Sequence, residues 1–354
     1  MKKKGICSAI VVLLAVGLCL ARPVIGGAAE DTEYLKKPCS VTVQTGNKEY
    51  EEDMEEAQVV LELYKVADAV AVQGNAGYVY ELTEAYKGLT VKENPEREDW
   101  MALAEEAAKR TLAPEENRTP MDPDVQGNPG ERIGTGSGLY LLVARGSDLE
   151  TYTDVIQTED GEKLVTVAKS PRYTYLFEPQ LLSLPVGDPE NGAAMNTVSS
   201  GNWVYDTAVA LKTERVPRYG SLEIVKTLQS YETKEPAMFV FQIEAVLDGE
   251  TVYSDVESLI FEEAGRQKIR LENQFPAGAQ VTVTEVYSGA VYHLETEESQ
   301  TVEIVADSAG LAEFINDYEE EQKGGHGVVN QFNYSGTGAF DGWEWTQISA
   351  GNPE

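Results

Sequence analysis

Three polar residues of this chain occupy strand positions whose neighbours are apolar. In a β-strand alternate residues share a face, and the segments around Lys226, Glu285 and Asn316 read as strands. We therefore expect one lysine, one acid and one amide to point into the core of a single domain. The residues that share a face with them are Leu222, Ile224 and Leu228 for Lys226, Val281, Val283 and Tyr287 for Glu285, and Phe314 and Tyr318 for Asn316.

Burial of these groups predicts a crosslinking reaction. A low-dielectric environment generally lowers the pKa of an amine and raises that of a carboxylic acid. We expect Lys226 to act as a neutral nucleophile, and Glu285 as an acid that donates a hydrogen bond to the Asn316 carboxamide and shuttles protons. Attack on the amide carbon would expel ammonia and leave an isopeptide bond closing a loop of 316 − 226 = 90 residues. In the alternative reading, Lys226 reaches solvent at a sheet edge and forms an ordinary ion pair with Glu285.

The elements that must position these residues are mostly short strands separated by turns. Many short strands favour β-sandwich domains over βαβ units. One helix is predicted, with Asn94 as its cap, Pro95 in its first turn and apolar residues at helical spacing. Loops are predicted at 113–137 and 187–201, and a short linker at 216–220. The apolar helix residues are Trp100, Leu103, Ala104, Ala107 and Ala108, and the strand segments of the first half are 59–66, 138–143, 164–168, 173–177 and 203–211.

The second half of the chain resembles a Cna-protein B-type domain over roughly residues 219–335. The resemblance rests on the segments GSLEIVKT at 220–227, PAGAQVTVTE at 276–285 and EFINDY at 313–318. In that family a lysine of the first strand is bonded to an asparagine of the last strand, with a catalytic acid from a central strand. These positions match Lys226, Asn316 and Glu285. Asn330 is a rival to Asn316, in a less core-like setting.

The first half, residues 30–215, is similar to the N-terminal domain of SpaA-type Gram-positive pilins. The residues that carry this likeness lie at 63–67, 138–143 and 203–212. The resemblance implies that Lys212 is the lysine that a sortase joins to the next subunit, although Ala210 and Leu211 precede it where the family has Tyr-Pro. The alternative is a solvated lysine at a domain boundary. Lys65 is a candidate for a second isopeptide bond, but neither an acid nor an asparagine partner stands out.

The N-terminus predicts export. Lys2, Lys3 and Lys4 precede the apolar run from Ala9 to Leu20, and small residues follow at 26–29, so residues 1–29 form a signal-peptide pattern. Cys7 and Cys19 would leave with it, and Cys39 alone can form no intramolecular disulfide. No LPxTG-like sorting signal stands at the end of this sequence. Non-covalent anchoring, a released or terminal component, and a sequence that stops short all remain open.

Composition excludes several function classes. With 28 Lys+Arg against 60 Asp+Glu the formal net charge is −32, which disfavours binding to nucleic acid or to anionic membranes. Two His and three Cys leave little for a metal site or for His-based catalysis, so we expect no metal and no cofactor. Residues 122–127 imitate the start of a Ca²⁺ loop, but Ile133 stands where the closing Glu is required.

Together these patterns predict a mainly all-β protein of two immunoglobulin-like sandwich domains, the first with a helical insertion, followed by a tail at 336–354. The expected function is a secreted cell-surface structural protein, a pilin-like subunit or adhesin stalk that crosslinks itself. Its expected partners are other pilin subunits or a sortase.

Alternatively, it is an adhesin that binds host matrix or glycan through the 113–137 loop or the tail aromatics. A secreted hydrolase is the third hypothesis, but no nucleophile–base set is visible. The tail aromatics, Phe332, Tyr334, Phe340, Trp343 and Trp345, could equally form a strand that finishes the second domain.

Overall fold

The computed structural model describes residues 33–72, 77–92, 95–112, 120–158, 161–187, 203–289 and 291–319, and the backbone of 328–334 and 343–349. The chain divides into two compact units, Met1–Pro217 and Arg218–Glu354. The predicted signal peptide, the helix cap Asn94 and most of the predicted 187–201 loop lie outside the described residues. Within the described part, no helix has the length and apolar character needed to cross a membrane.

All helices among the described residues lie in the first unit. Its helices are α1 (Glu33–Lys36), α2 (Glu51–Glu56) and α3 (Arg97–Leu112), with 3₁₀ turns at Lys48–Tyr50 and Glu84–Tyr86. Its strands are β1 (Cys39–Gln44), β2 (Val59–Ala71), β3 (Tyr78–Leu82), β4 (Val125–Gly127), β5 (Arg132–Thr135), β6 (Gly138–Gly146), β7 (Thr153–Thr158), β8 (Gly161–Lys169), β9 (Tyr173–Phe177), β10 (Gln180–Leu184), β11 (Val186–Gly187), β12 (Trp203–Val204), β13 (Asp206–Ala210) and β14 (Thr213–Pro217).

The central sheet of the first unit has the order β10-β6-β2-β3, with β4 also paired to β2. Both of its faces are covered. Leu61 and Leu142 contribute to one core cluster, while Leu141 and Val143 contribute to a second cluster together with α3. A strand covered on both faces needs a continuous apolar run rather than alternation, which explains the sequence of β6. The predicted helix is confirmed, but it begins at Arg97, so Pro95 precedes it instead of lying in its first turn. Its buried residues include the five expected ones, Trp100, Leu103, Ala104, Ala107 and Ala108.

Two predicted connections contain strands instead. The 113–137 segment was expected to be a loop, but β4 and β5 lie within it, and β5 pairs with β1. Its Gly and Pro content masked this pairing, which long-range contacts create. Gly127 is required there, because a Cβ would lie 2.7 Å from the Ile133 side chain. The predicted linker at 216–220 contains the boundary between the two units, Pro217 and Arg218, but it is shorter than expected, since β14 ends at Pro217 and the next strand begins at Tyr219. The remaining sheets of this unit are β13-β1-β5, β14-β9-β8-β7 and β11-β12.

The second unit is a β-sandwich. One sheet has the order β18-β15-β22-β20 and the other β17-β16-β19-β21. In each strand, every second side chain points into the space between the two sheets, and these side chains are mostly apolar. On β16 the inward residues Phe239, Phe241 and Ile243 are fully buried. The strands are β15 (Tyr219–Leu228), β16 (Ala237–Leu247), β17 (Glu250–Phe261), β18 (Gly265–Pro276), β19 (Gln280–Tyr287), β20 (Tyr292–Leu294), β21 (Ser299–Glu303) and β22 (Ala309–Tyr318).

The C-terminal segment forms an additional hairpin. Strands β23 (Val328–Tyr334) and β24 (Trp343–Ser349) pair only with each other among the described strands. The sequence predicts that the second domain ends at residue 335, which lies between these two strands. Asn330, the rival to Asn316, lies on β23 opposite Gln347.

Candidate functional site

Lys226, Glu285 and Asn316 meet between the two sheets of the second unit. Lys226 lies on β15 and Asn316 on β22 of one sheet, and Glu285 lies on β19 of the other. Lys226 and Asn316 are 0% exposed and Glu285 is 2% exposed. The alternative in which Lys226 extends to solvent is therefore wrong, because β15 is an inner strand with neighbours on both sides.

Strand pairing explains why these side chains converge. β15 and β22 are parallel neighbours, with Lys226 opposite Phe314 and Leu228 opposite Asn316. Asn316 is therefore displaced by two residues from the position opposite Lys226 and shares its face, within reach of a long side chain. On the other sheet, Glu285 lies opposite Phe241, next to a register shift in the β16–β19 pair. Because of this shift Tyr287 lies opposite Val240 and is 45% exposed, so the expectation that it shares the inward face of Glu285 is wrong. Such irregularities re-aim side chains and are frequent beside functional sites.

The hydrogen bonds form a closed triangle. The Lys226 Nζ donates to Glu285 Oε2 and to Asn316 Oδ1. The Asn316 Nδ2 donates to Glu285 Oε1 over 2.8 Å. Glu285 thus accepts from both partners and contacts the nitrogen of the carboxamide, whereas the sequence reasoning expected it to donate to that group. A carboxylate that faces two donors accepts from both of them.

The surroundings of Lys226 are aromatic. Its Nζ lies 4.5 Å from the centroid of the Phe239 ring and 5.8 Å from that of Phe241. The Phe241 and Phe314 rings also pack together, with centroids 5.2 Å apart. Burial in this environment lowers the pKa of Lys226 to about 8, while the hydrogen bond that Lys226 donates to Glu285 opposes the effect. A substantial fraction of neutral amine is therefore accessible near neutral pH, which an ordinary lysine lacks.

This arrangement has the parts of an amide-exchange reaction. The amine nitrogen lies against the carboxamide that it would attack, and one carboxyl group touches both the amine and the nitrogen that would leave. Proton transfer by a positioned group requires hydrogen-bond contact with the donor and the acceptor, and Glu285 has both contacts. No metal or cofactor enters this chemistry, and in the described part of the chain no cluster of His, Cys, Asp and Glu is arranged to hold a metal ion.

The other two candidate lysines lie in the first unit, in different settings. Lys212 is exposed between β13 and β14, and its backbone oxygen accepts from the Glu178 amide over 3.2 Å. Lys65 lies on β2 with a partly exposed side chain that forms an ion pair with Asp68 at 2.5 Å. Its ammonium group thus has a carboxylate partner at the surface, unlike the fully buried Lys226.

A buried polar network in the first unit was missed by the sequence reasoning. Glu62 is 1% exposed. It accepts from Arg145 Nη2 over 2.7 Å, from Gln126 Nε2 over 3.0 Å and from the Tyr64 hydroxyl over 2.7 Å. The available signal was Glu62 itself, a charged residue within the apolar run of β2. Its position predicts a structural ion pair, because Gln126 of β4 and Arg145 of β6 reach Glu62 from the strands on either side of β2.

The comparisons with known proteins give matches among solved structures alone. No protein-family model matches the chain, and no curated protein matches it. A minor pilin from Streptococcus agalactiae, GBS52, is 11% identical over 79% of this chain and 95% of the pilin, with a TM-score of 0.20. The SpaE basal pilin from Lactobacillus rhamnosus GG is 13% identical over 76% of this chain and 84% of that protein, with a TM-score of 0.26.

A third matching structure is the pilus-presented adhesin Spy0125. It is 14% identical over 42% of this chain, with a TM-score of 0.23, and the match spans 36% of the adhesin. The matched proteins are Gram-positive pilins and a pilus adhesin, the class that the sequence resembles. With identities and TM-scores this low, the case for function rests on the sheets and the buried site of this chain.

Proposed function

We propose that this protein is a cell-surface structural subunit of Gram-positive type, a pilin-like subunit or adhesin stalk, whose second unit crosslinks itself between Lys226 and Asn316. The observation that carries the proposal is the fully buried triangle of Lys226, Glu285 and Asn316. Isolated buried charges are strongly disfavoured. Reaction with the adjacent Asn316 carboxamide accounts for an amine at the centre of the sandwich, because it converts the amine into an uncharged amide.

The reaction converts an amine and a primary amide into a secondary amide and ammonia. The neutral Lys226 nitrogen attacks the Asn316 carboxamide carbon, and a new C–N bond forms. Glu285 takes the proton that the attacking nitrogen loses and delivers it to the Asn316 nitrogen, with which its Oε1 is already in contact. The bond to that nitrogen then breaks, ammonia leaves, and Glu285 returns to its starting state. Each chain reacts once, so the protein is not an enzyme in the usual sense.

The position of the bond suits a load-bearing protein. β15 and β22 are the first and last strands of the sandwich, and they are parallel neighbours. Residues 227–315 lie inside the covalent loop. Tension applied through the two ends of the sandwich would therefore pass from β15 to β22 through the isopeptide bond. Hydrogen bonds of the strands between them would carry none of it.

Intact mass spectrometry of the purified chain tests the proposal. The native chain should be lighter than its calculated mass by one ammonia, and Lys226→Met should restore the full mass. Lys268→Met is the matched control. Lys268 lies on the adjacent strand β18 with an exposed side chain paired to Glu223 at 3.0 Å, so its loss should leave the mass deficit intact. A native chain of full mass would refute the crosslink.

We further propose that Lys212 is the residue through which a sortase joins this protein to other pilin subunits, after export directed by residues 1–29. The exposure of Lys212 supports this role, since an enzyme must reach its side chain. Incubation with a pilus sortase and a partner subunit should give a covalent product whose crosslinked peptide contains Lys212. Lys212→Arg should abolish the product, whereas Lys163→Arg, in a partly exposed pair with Glu178, should not. A product unaffected by Lys212→Arg would reject this role of Lys212. The predicted export is tested separately, by N-terminal sequencing of the exported chain, which should begin near Ala29.

A further inference from the structure

The asparagine of the buried triangle lies at the end of a strand pair. β15 and β22 pair in parallel from Ser221 and Ala309 onward, and the last pair of this ladder is Leu228 with Asn316. The ends of paired strands open more readily than their centres. The crosslinking reaction requires the Asn316 carboxamide to stay against the Lys226 nitrogen. The end of the ladder therefore needs contacts beyond its last pair.

The opposite end of the ladder is held by the backbone. The Ser221 amide donates to the Ser308 oxygen over 2.8 Å. Gly220 precedes Ser221, and a Cβ at this position would lie 2.4 Å from the Val305 oxygen, so only a glycine allows the two chain segments to approach this closely. Main-chain contacts thus fix the start of the strand pair, five residues before Lys226.

At the reactive end, two residues that follow β15 continue the contact with β22. The Gln229 amide donates to the Asn316 backbone oxygen over 2.9 Å. The Ser230 hydroxyl donates to the Asp317 Oδ1 and accepts from the Tyr318 amide over 3.3 Å. We call these two hydrogen bonds of Ser230 the Ser230 contact. They tie the residues directly after Asn316 to the chain segment that leaves the strand of the reactive lysine.

The acceptor in this contact is a charged carboxylate. The hydrogen bonds from Ser230 and from the Tyr318 amide, together with the nearby His293, hold the pKa of Asp317 below its usual range. A hydroxyl that donates to a carboxylate forms a stronger hydrogen bond than one between neutral groups. On its other side β22 pairs with β20, an edge strand of only three residues, Tyr292–Leu294. The Ser230 contact therefore reinforces a part of β22 that has little support from that edge.

Small displacements of β22 would affect the reaction strongly. Asn316 is fully buried, while its neighbour Asp317 lies on the outward face and is partly exposed. A shift of one residue moves a strand by about 3.3 Å and turns every side chain to the opposite face. A displacement of only about 1 Å between reacting groups can slow a reaction by roughly a hundredfold. A contact that fixes the backbone at 317 therefore also fixes the carboxamide at 316.

We propose that Ser230 and Asp317 are positioning residues of the crosslinking reaction, which hold the Asn316 carboxamide against the Lys226 amine. The inference rests on the proposed isopeptide bond and adds to it two residues outside the buried triangle. Neither side chain contacts the reacting atoms in its hydrogen bonds. Both act through the backbone of β22, so their loss should change the rate of bond formation in a chain that is already folded.

Refolding of the full, uncrosslinked chain from denaturant tests this role. Intact mass follows the loss of ammonia, and pulsed hydrogen exchange of the core segment 239–243 shows when each chain is folded, so that rates are compared in folded chains only. Ser230→Ala should slow the loss of ammonia by about tenfold or more, and Ser230→Thr, which keeps the hydroxyl, should react at the native rate. Ser299→Ala is the matched control, because it removes a hydroxyl that bonds to Thr284 over 2.7 Å on the other sheet; it should also react at the native rate.

Variants of the acceptor complete the test. Asp317→Ala should slow the reaction at least as much as Ser230→Ala, and the double variant should be no slower than Asp317→Ala alone, because both changes remove the same hydrogen bond. If Ser230→Ala does not fold, Asp317→Asn replaces the charged acceptor by a neutral one and should still slow the reaction. Its control is Glu313→Gln, the same change on the same strand and face, where the acid pairs with the exposed Arg266 at 2.7 Å; this variant should react at the native rate.

Several results would overturn the positioning role. Folded Ser230→Ala or Asp317→Asn chains that lose ammonia at the native rate would show that the contact does not position Asn316. Equal slowing by Ser299→Ala would assign the effect to a general loss of hydrogen bonding, and a slow Ser230→Thr chain would show that the hydroxyl is not the active group. A native chain that keeps its full mass would refute the crosslink and this role together, whereas native-rate crosslinking of the variants would refute this role alone.

Discussion

Replacement of Lys226 by methionine should remove the crosslink and strongly destabilise the second unit. The bond would close a loop of 90 residues between positions 226 and 316. The chain-entropy relation used for disulfides gives about 4–5 kcal/mol for a loop of this length at 25 °C. Lys226→Met also leaves the buried Glu285 without the N–H of the Lys226 nitrogen that it contacts, which costs a further ~1–3 kcal/mol. The total expected loss is therefore about 5–8 kcal/mol, using both contributions.

A triple variant separates the two contributions. Lys226→Met combined with Glu285→Leu and Asn316→Leu removes the crosslink together with the polar groups that would be left unpaired, and leaves an apolar site. Its free energy of unfolding should fall by the loop term alone, about 4–5 kcal/mol. For a unit of this size that corresponds to a fall in Tm of roughly 20 °C, at ~4 °C per kcal/mol. The exposed control Lys268→Met should change stability by less than about 0.5 kcal/mol.

The assay pairs intact mass with thermal and denaturant unfolding of each variant. Mass reports whether the bond has formed, and the unfolding transition of the second unit reports what the bond contributes. A Lys226→Met chain that still lacks one ammonia would place the chemistry at another residue. A triple variant that melts within a few degrees of the native chain would show that the loop-closure estimate does not apply to this crosslink.

Three further predictions follow from the contacts of the buried residues. When denatured, uncrosslinked chain is refolded, the rate of ammonia loss should rise as the pH increases through about 8, because the lowered pKa of Lys226 sets the fraction of neutral amine. A rate independent of pH would contradict this role of the amine. Phe241→Ala should slow crosslinking in the same assay and lower the free energy of unfolding by about 3–5 kcal/mol, since it removes a buried ring 5.8 Å from the Lys226 Nζ. Crosslinking at the native rate would show that this ring is not needed to keep water from the amine. Glu62→Gln should destabilise the first unit by up to about 3–5 kcal/mol in thermal unfolding, because it leaves the partly buried Arg145 charge without its partner. The more exposed Glu178→Gln should cost less than about 1 kcal/mol, and equal effects would refute the importance of burial.

Local patterns were sufficient for a large part of the fold. Alternation placed Lys226, Glu285 and Asn316 on inward faces, and all three are buried. Helical spacing located α3 and its buried face. These features depend on the chain's own periodicity, which the sequence displays directly. The strands inside 113–137 could not be read in this way, because β5 exists through its pairing with β1, more than eighty residues earlier.

Which polar residues meet was decided by tertiary structure. The sequence by itself indicated that a lysine, an acid and an asparagine face the core, and it predicted export, with which the net charge of −32 is compatible. The parallel pairing of β15 with β22, and the packing of β19 opposite them, decided that Asn316 rather than Asn330 meets Lys226 and that Glu285 contacts the leaving nitrogen. The physical reason is that a period of two specifies the face of a residue, while strand order, register and sheet packing specify its neighbours.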